Sequence, residues 1–139
     1  MITIRRAEPQ DCEAVLCLAS AFATSFAVER SAFESSFPIL LQEPNSFLVV
    51  ALEDTRIVGY VLGFDHFTFF ANGRVSWVEE IMVAENIRKR GIGRRLVEAF
   101  EQWARRRESK LVALATRRAE PFYSSIGYDP SATYLRKLL

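Results

Sequence analysis

The feature that most constrains this fold is a junction in the middle of the chain, where an apolar segment leads directly into an amphipathic one. Residues 74–84, RVSWVEEIMVA, are almost continuously apolar in their interior except for Glu79 and Glu80. That composition predicts a central strand covered on both faces of its sheet. Downstream, apolar residues recur at helical spacing: Ile92, Leu96, Phe100 and Trp103. They predict an amphipathic helix from Gly91 to about Arg107.

Strand and helix patterns alternate along the remaining chain. The segment ITIRR near the N-terminus predicts a strand, and a helix follows after Pro9. A second helix opens with a capping box at Ser31 and Glu34, and Pro38 should kink or split it. Further on, the patterns predict two strands, a buried strand, a short helix and a final strand: SFLVVALED, RIVGYVLGFDHFTFF, KLVALAT, RRAEPFYSSIG and TYLRKLL.

This order of elements places the chain in the α/β class. The patterns predict a strand, two helices, three strands, a helix, a strand, a helix and a strand, which favours a mixed central β-sheet flanked by helices. The 139 residues are enough for one domain and too few for two. No linker-like or repetitive segment interrupts them, so we expect a single domain over residues 1–139.

Composition argues against several classes of function. The formal net charge is +1, so no overall positive charge favours nucleic acid, and the basic segment at residues 104–110 is better interpreted as a solvated helix end. The chain contains no CxxC or Cys/His pattern typical of a metal site. It also has no apolar run of signal-peptide or transmembrane length. We therefore expect a cytoplasmic protein that binds neither nucleic acid, membrane nor metal.

The segment RKRGIG, residues 88–93, lies where the apolar strand ends and the long helix begins. The first turn of a helix has free backbone N–H groups, and glycine lets an anion approach them closely. The neighbouring arginines add positive charge. A dinucleotide fingerprint would need a third glycine where Leu96 stands, and the Gly-Lys-Ser/Thr of a P-loop is missing. From these residues alone, a pyrophosphate site and an ordinary solvated turn remain equally open.

Two segments resemble the motifs of a known family. VEEIMVAENIRKRGIGRRLVEAFEQWA resembles the central motif of the GNAT superfamily of acyl-CoA-dependent N-acetyltransferases, with Arg88, Gly91 and Gly93 at the family's spacing. AEPFYSSIGYDPSATYLRKLL resembles the family's C-terminal motif, although the asparagine that often precedes its Phe-Tyr pair is absent here. The order of elements also matches the family fold over essentially the whole chain. The resemblance implies that the central strand splays from the next strand, and in the family this strand often carries a bulge, which would re-aim side chains near the chemistry.

The resemblance also implies acetyl-CoA as co-substrate, bound along this junction. Backbone N–H groups from about Arg90 to Arg94 would hold its pyrophosphate, and the backbone of Met82 and Val83 would pair with its pantetheine amides. The residues expected by this analogy to contact the cofactor are Ile81, Met82, Val83, Arg88, Lys89, Arg90, Gly91, Ile92, Gly93, Arg94 and Phe122.

The implied reaction is direct attack of an amine on the thioester. An alkylammonium has a pKa of about 10.4 and is mostly protonated at neutral pH, and a carboxylate near it can take the proton directly or through water. Glu79 is the first candidate for this base and Glu80 the second, although plain alternation would point them to opposite faces of the sheet. By analogy, Tyr123 protonates the departing thiolate. The alternatives are a structural or substrate-pairing carboxylate and a tyrosine that only lines the channel for coenzyme A.

The acceptor is the part of the function about which the sequence is least informative. A small primary amine or an amino-acid-like acceptor is favoured, with a protein N-terminus, a lysine, or a non-catalytic acetyl-CoA-binding regulatory module as alternatives. Asp65, together with the two glutamates, can attract a cationic amine, whereas His66 is more simply explained as a solvent-facing strand residue. The aromatic residues around them are expected to be core. By family analogy, a homodimer is a further expectation.

Overall fold

The structure is a computed structural model that describes residues 1–22, 26–88 and 90–139. In this part of the chain, five strands and four α-helices form, with short 3-10 turns ahead of two of the helices. The strands are β1 Ile2–Arg6, β2 Ser46–Glu53, β3 Arg56–Thr68, β4 Gly73–Val83 and β5 Val112–Leu114. The helices are α1 Cys12–Phe22, α2 Arg30–Gln42, α3 Ile92–Arg106 and α4 Glu120–Ser125.

The strands form one sheet in the order β1-β2-β3-β4-β5. The first three neighbouring pairs are antiparallel, whereas β4 and β5 are parallel. Short turns join β2 to β3 and β3 to β4, and they contain Asp54 and Asn72 in the left-handed conformation that such turns use. The parallel pair requires a crossover, which α3 supplies. The predicted α/β class, with a mixed central sheet flanked by helices, is therefore confirmed.

Helices cover both faces of the sheet, as the apolar β4 requires. α3 packs on one face, where the rings of Phe100 and Trp103 lie 6.0 and 5.0 Å from that of Phe47 in β2. α1 and α2 pack on the other face. Gly63 permits the close approach of α3, because a Cβ there would lie 2.6 Å from the Trp77 carbonyl oxygen and would overlap the Phe100 ring. The two cores hold β4 in the middle of the molecule.

The second helix differs from its predicted form. α2 begins at Arg30, and no side chain caps it, so the predicted capping box at Ser31 does not form. Glu34 instead forms an ion pair with Arg30, with its carboxylate oxygen 3.5 Å from the guanidinium nitrogen. Pro38 lies inside α2 without splitting it. The apolar side of the helix stays packed against the sheet, and this packing offsets the hydrogen bond that proline removes.

The predicted final strand, TYLRKLL at residues 133–139, is wrong. These residues have no regular secondary structure and are exposed. A strand needs a neighbour to pair its backbone, and no strand of the described chain pairs with this segment. The two preceding segments form β5 and α4 over shorter ranges than predicted. Within the described residues, no helix is long and apolar enough to cross a bilayer.

Candidate functional site

β4 and β5 separate halfway along β4. Their parallel pairing ends with Val78 opposite Leu114. β4 then continues beside β3 to Val83, whereas β5 goes no further. Within the described residues, the edge of β4 over residues 79–83 therefore faces no strand. Its backbone is available to an extended ligand, and the predicted splay of the central strands is confirmed.

β4 carries a β-bulge at the point where it leaves β5. Against β3, Val78 pairs with Gly63 and Glu80 pairs with Leu62, so Glu79 is an extra residue without a partner. A bulge breaks the alternation of side chains and re-aims them. As a result, Glu79 and Glu80 both line one open groove. The expectation that they point to opposite faces assumed an unbroken register between the strands, and the bulge removes that premise.

The two glutamates differ in their surroundings. Glu80 is half-buried, and its Oε1 accepts a hydrogen bond of 2.7 Å from the hydroxyl of Tyr60. Tyr60 is 1% exposed, and its burial, followed by the charge of Glu80, raises its pKa so that it remains a donor. Glu79 is exposed at the bulge. The walls of the groove nevertheless desolvate its carboxyl, and this, followed by the charge of Glu80, raises the pKa of Glu79.

Tyr123 reaches the same groove from α4. The helix begins at Glu120 with Pro121 in its first turn, where the fixed φ of proline suits a helix. The Tyr123 ring packs against Phe122 and Tyr128 at centroid distances of 5.0 and 5.8 Å. Burial raises the pKa of its phenol, and none of the described residues hydrogen-bonds to its hydroxyl. Tyr123 is therefore a protonated donor at the wall of the groove.

The start of α3 presents backbone donors that are not paired with any described residue. Gly91 precedes the helix in the left-handed conformation, with φ of 80°, and its carbonyl accepts a hydrogen bond of 3.1 Å from Arg95. The N–H groups of residues 92–94 have no backbone partner in the described chain. Gly93 leaves space beside them, since a Cβ there would stop 3.6 Å from the Phe122 ring. Free N–H groups at the positive end of a helix form a site for an anion.

The basic side chains of the junction are mostly held by protein groups. The contacts are Arg88 with the Val83 carbonyl oxygen at 3.0 Å, Arg90 with Glu53 at 2.6 Å and Arg94 with Glu98 at 3.1 Å. These arginines are largely exposed, and exposed pairs are weak enough to be exchanged for another anion. Lys89 lies outside the described residues. An anion can therefore reach the backbone N–H groups of α3 directly. The predicted arginines can bind it only after they leave their present partners.

Two residues of β3 near the groove have different environments. Asp65 is 1% exposed and forms ion pairs with Arg74 at 3.2 Å and with Arg107, so the expectation that it attracts a cationic acceptor is wrong. His66 is exposed, as expected. Tyr60 was not singled out from the sequence. The sequence signal for Tyr60 was its hydroxyl within an otherwise apolar strand, because a buried hydroxyl needs a hydrogen-bond partner.

The aromatic residues near the acceptor end of the groove are only partly core. Phe37 is 4% exposed and stacks on Phe33 at a centroid distance of 5.6 Å. Phe67, Phe69 and Phe70 were also expected in the core, but they are exposed. They lie at the far end of the β3–β4 hairpin and its turn, away from both apolar cores.

Known proteins resemble this chain along almost its whole length. The profile of the family described as Acetyltransferase (GNAT) family matches residues 13–128. The N-acetyltransferase YhfO of Bacillus subtilis (strain 168), itself uncharacterized, is 22% identical over 144 residues, which cover 99% of this chain and 97% of the relative. A solved transcriptional regulator from Bacillus halodurans C-125 has a TM-score of 0.89 at 22% identity and covers 100% of both chains. Glucosamine-6-phosphate N-acetyltransferase from Arabidopsis thaliana has a TM-score of 0.88 at 19% identity and covers 99% of this chain and 98% of its own. Because the family profile matches most of its residues, the chain belongs to the GNAT family of acetyltransferases, which transfer an acetyl group from acetyl-CoA.

Proposed function

We propose that residues 1–139 form one N-acetyltransferase domain that acetylates a primary amine, with a small or amino-acid-like acceptor favoured. The observation that carries this proposal is the arrangement of three features around the end of β4. They are the open edge of β4, the free start of α3 and the buried phenol of Tyr123. The edge of β4 suits the pantetheine amides of acetyl-CoA, the start of α3 suits its diphosphate, and the phenol suits the thiolate that departs when the thioester breaks.

Acetyl-CoA is assigned to the junction between β4 and α3. The N–H groups of residues 92–94, at the positive end of the α3 dipole, suit its diphosphate. The backbone of residues 81–83 suits the amides of its pantetheine arm, once Arg88 releases the Val83 carbonyl. The side chains of Phe122 and Val83 both lie within 4 Å of the position that a Cβ at Gly93 would take. The other basic residues of the junction, Lys89 among them, then contribute positive charge around the phosphates.

The reaction requires two proton transfers. The amine nitrogen attacks the thioester carbonyl carbon, so a C–N bond forms, and the C–S bond breaks as the tetrahedral species collapses. Glu79 accepts the proton that leaves the nitrogen, directly or through water, and Tyr123 donates a proton to the departing thiolate. The raised pKa of Glu79 makes it a stronger base, and the raised pKa of Tyr123 keeps the phenol protonated until the thiolate forms.

Glu80 is the second candidate for the base, and its contacts support a different role. The hydrogen bond from Tyr60 orients its carboxylate and occupies one of its oxygens. Its charge still borders the groove, where it favours a cationic acceptor. The same charge contributes to raising the pKa of Glu79. Glu80 therefore tunes the base and attracts the substrate.

The groove supports a small amine as the acceptor. Two carboxylates border it next to an apolar wall that includes Phe33 and Phe37. The solved Arabidopsis relative is named for glucosamine 6-phosphate, which is a small primary amine. The alternatives are a protein N-terminus or lysine, and a non-catalytic regulatory module. The cytoplasmic location and the homodimer stay predictions.

Release of free thiol from acetyl-CoA tests the proposed function. The acceptors are a panel of small amines, amino acids, and peptides with a free N-terminus or a lysine. The wild type should turn over at least one small amine, and Tyr123→Phe should lower kcat about 10²-fold or more because the proton donor is lost. Gln102→Ala is the control, since this exposed side chain of α3 is not among the residues that line the groove.

Other results of this assay would support one of the alternative functions. Turnover on peptides alone selects a protein acceptor. Stabilisation of the fold by acetyl-CoA, without turnover of any acceptor, selects the regulatory module. Equal turnover in Tyr123→Phe and Gln102→Ala removes Tyr123 from the mechanism.

A further inference from the structure

Glu53, the last residue of β2, contacts the segment that leads into α3. In the sheet it stands between Ile2 of β1 and Arg56 of β3. Its side chain is 24% exposed, and its Oε2 lies 2.6 Å from a guanidinium nitrogen of Arg90. Its Oε1 lies 3.5 Å from a guanidinium nitrogen of Arg56. A carboxylate from outside the two family motifs therefore holds an arginine that lies next to the anion site.

The pair between Glu53 and Arg90 is ionised at neutral pH. The hydrogen bond from Arg90 is the main reason why the pKa of Glu53 lies below its ordinary range, and the positive charges of Arg90 and Arg56 act in the same direction. About half of the Arg90 side chain is exposed. Solvent screens such a pair, so it adds little to the stability of the fold and can open when another anion is present.

Arg90 stands directly before the anion site. It precedes Gly91, the residue at which α3 begins, and the N–H groups assigned to the diphosphate follow in residues 92–94. A guanidinium binds phosphate oxygens with the same paired N–H donors that it uses for a carboxylate. Glu53 and a phosphate of acetyl-CoA therefore require the same donors of Arg90.

We propose that Glu53 sets the affinity for coenzyme A by competing with its phosphates for Arg90. This rests on the proposed function, which assigns acetyl-CoA to the start of α3. While Arg90 is paired with Glu53, its charge is neutralised. When acetyl-CoA binds, the loss of this pair offsets part of the attraction between Arg90 and the phosphates. Glu53 acts through Arg90, so it is a positioning residue and not a catalytic one.

The competition affects substrate and product alike. Acetyl-CoA and free coenzyme A carry the same phosphates, so a contact to these groups contributes equally to the binding of both. Tighter binding of the phosphates would retain free coenzyme A after the acetyl group has left, and product release limits the rate of many enzymes. A carboxylate that competes for Arg90 therefore favours the exchange of product for fresh acetyl-CoA.

Calorimetric titration of the full chain with acetyl-CoA and, separately, with free coenzyme A tests this proposal. Glu53→Gln keeps the shape of the side chain and removes its charge. Both dissociation constants should fall about two- to fivefold, and by the same factor. Asp54→Asn is the matched control. It removes the same charge from the next residue, whose described ion pair is with the amino group of Met1, and both constants should stay at the wild-type values.

A double variant tests whether Glu53 acts through Arg90. Arg90→Gln should raise both dissociation constants, because a contact to phosphate is lost. Adding Glu53→Gln to Arg90→Gln should then change neither constant further, because the guanidinium for which the carboxylate competes is gone.

Three results overturn this inference alone, in a wild type that binds acetyl-CoA. The first is affinity that Glu53→Gln leaves unchanged or lowers, since the pair then does not compete with the ligand. The second is an equal gain in Asp54→Asn, which would assign the effect to net charge. The third is a gain from Glu53→Gln that persists in the Arg90→Gln background. If the wild type binds no acetyl-CoA at millimolar concentration, the proposed function fails together with this inference.

Discussion

At the scale of single residues, the chemistry of the site depends on one extra residue in β4. Glu79 has no partner on β3, and the bulge leaves its carboxyl in the groove beside Glu80. Reduced solvation and a neighbouring negative charge both favour the protonated form, which is why the pKa of Glu79 is raised. Tyr60 meanwhile restrains Glu80 by a hydrogen bond. The two carboxylates therefore have different surroundings although they are adjacent in the chain.

We predict that the pH dependence of kcat/KM distinguishes the two glutamates. A base must be ionised, so the rate should rise with pH through the pKa of Glu79, which lies above the ordinary value of about 4.3. Glu79→Gln should remove this acidic limb and lower kcat about 10²-fold. Glu80→Gln should keep the limb and move it to lower pH, because one cause of the raised pKa is gone. Initial rates of thiol release with a single acceptor measure both effects.

Tyr60→Phe is the matched control for the Glu80 variant. It keeps both carboxylates and removes only the hydrogen bond that orients Glu80. The acidic limb should then persist. If Glu80→Gln removes the limb and Glu79→Gln retains it, the assignment of the base is reversed.

At the scale of elements, the start of α3 contains two glycines with different requirements. Gly91 has a φ of 80°, and a Cβ there would meet no atom of the described residues within 4 Å, so backbone strain is the obstacle to another residue that these residues show. Left-handed backbone costs an L-residue about 1–2 kcal/mol. Gly93 lies within the helix, where glycine is about 1 kcal/mol less favourable than alanine. A Cβ at Gly93 would make ordinary contact with Phe122 at 3.6 Å.

The two glycine-to-alanine variants should therefore change the free energy of unfolding in opposite directions. Gly91→Ala should lower it by about 1–2 kcal/mol. Gly93→Ala should raise it by as much as about 1 kcal/mol. Urea denaturation followed by circular dichroism measures both. Equal destabilisation of the two variants would show that the left-handed backbone is not what Gly91 provides.

The elements that could be predicted from the sequence are those with long periodic patterns. β4 and α3 are such elements, and their junction is where the prediction placed it. The bulge at Glu79 could be expected only from the family resemblance and not from the residues, because it depends on the register that packing on both faces imposes on two strands. The final segment, residues 133–139, was predicted as a strand on its composition, although a strand also needs a neighbour. Asp65 resembled an available acid, but Arg107, distant in sequence, pairs with it in the fold.

At the scale of the whole molecule, two helical layers hold β4 between them and leave one end of it open. α3 is anchored at its C-terminal end, where Arg107 pairs with the buried Asp65 of β3. Its N-terminal end lies beside the free edge of β4, with Val83 and Phe122 nearby. A site built on anchored elements needs little reorganisation when a ligand binds. In the proposed binding mode, Arg88 releases the Val83 carbonyl, and Arg90 and Arg94 leave their glutamate partners before they can bind the phosphates.

Calorimetric titration with acetyl-CoA tests most directly whether the start of α3 and the open edge of β4 bind this co-substrate. The wild type should bind one molecule per chain with a micromolar dissociation constant. Gly93→Val should weaken binding about tenfold or more, because the added methyl groups occupy the space before the free N–H groups. Gln102→Val changes the exposed side of the same helix and should leave the affinity for acetyl-CoA unchanged. No heat at millimolar acetyl-CoA, or equal affinity in all three proteins, would contradict this assignment.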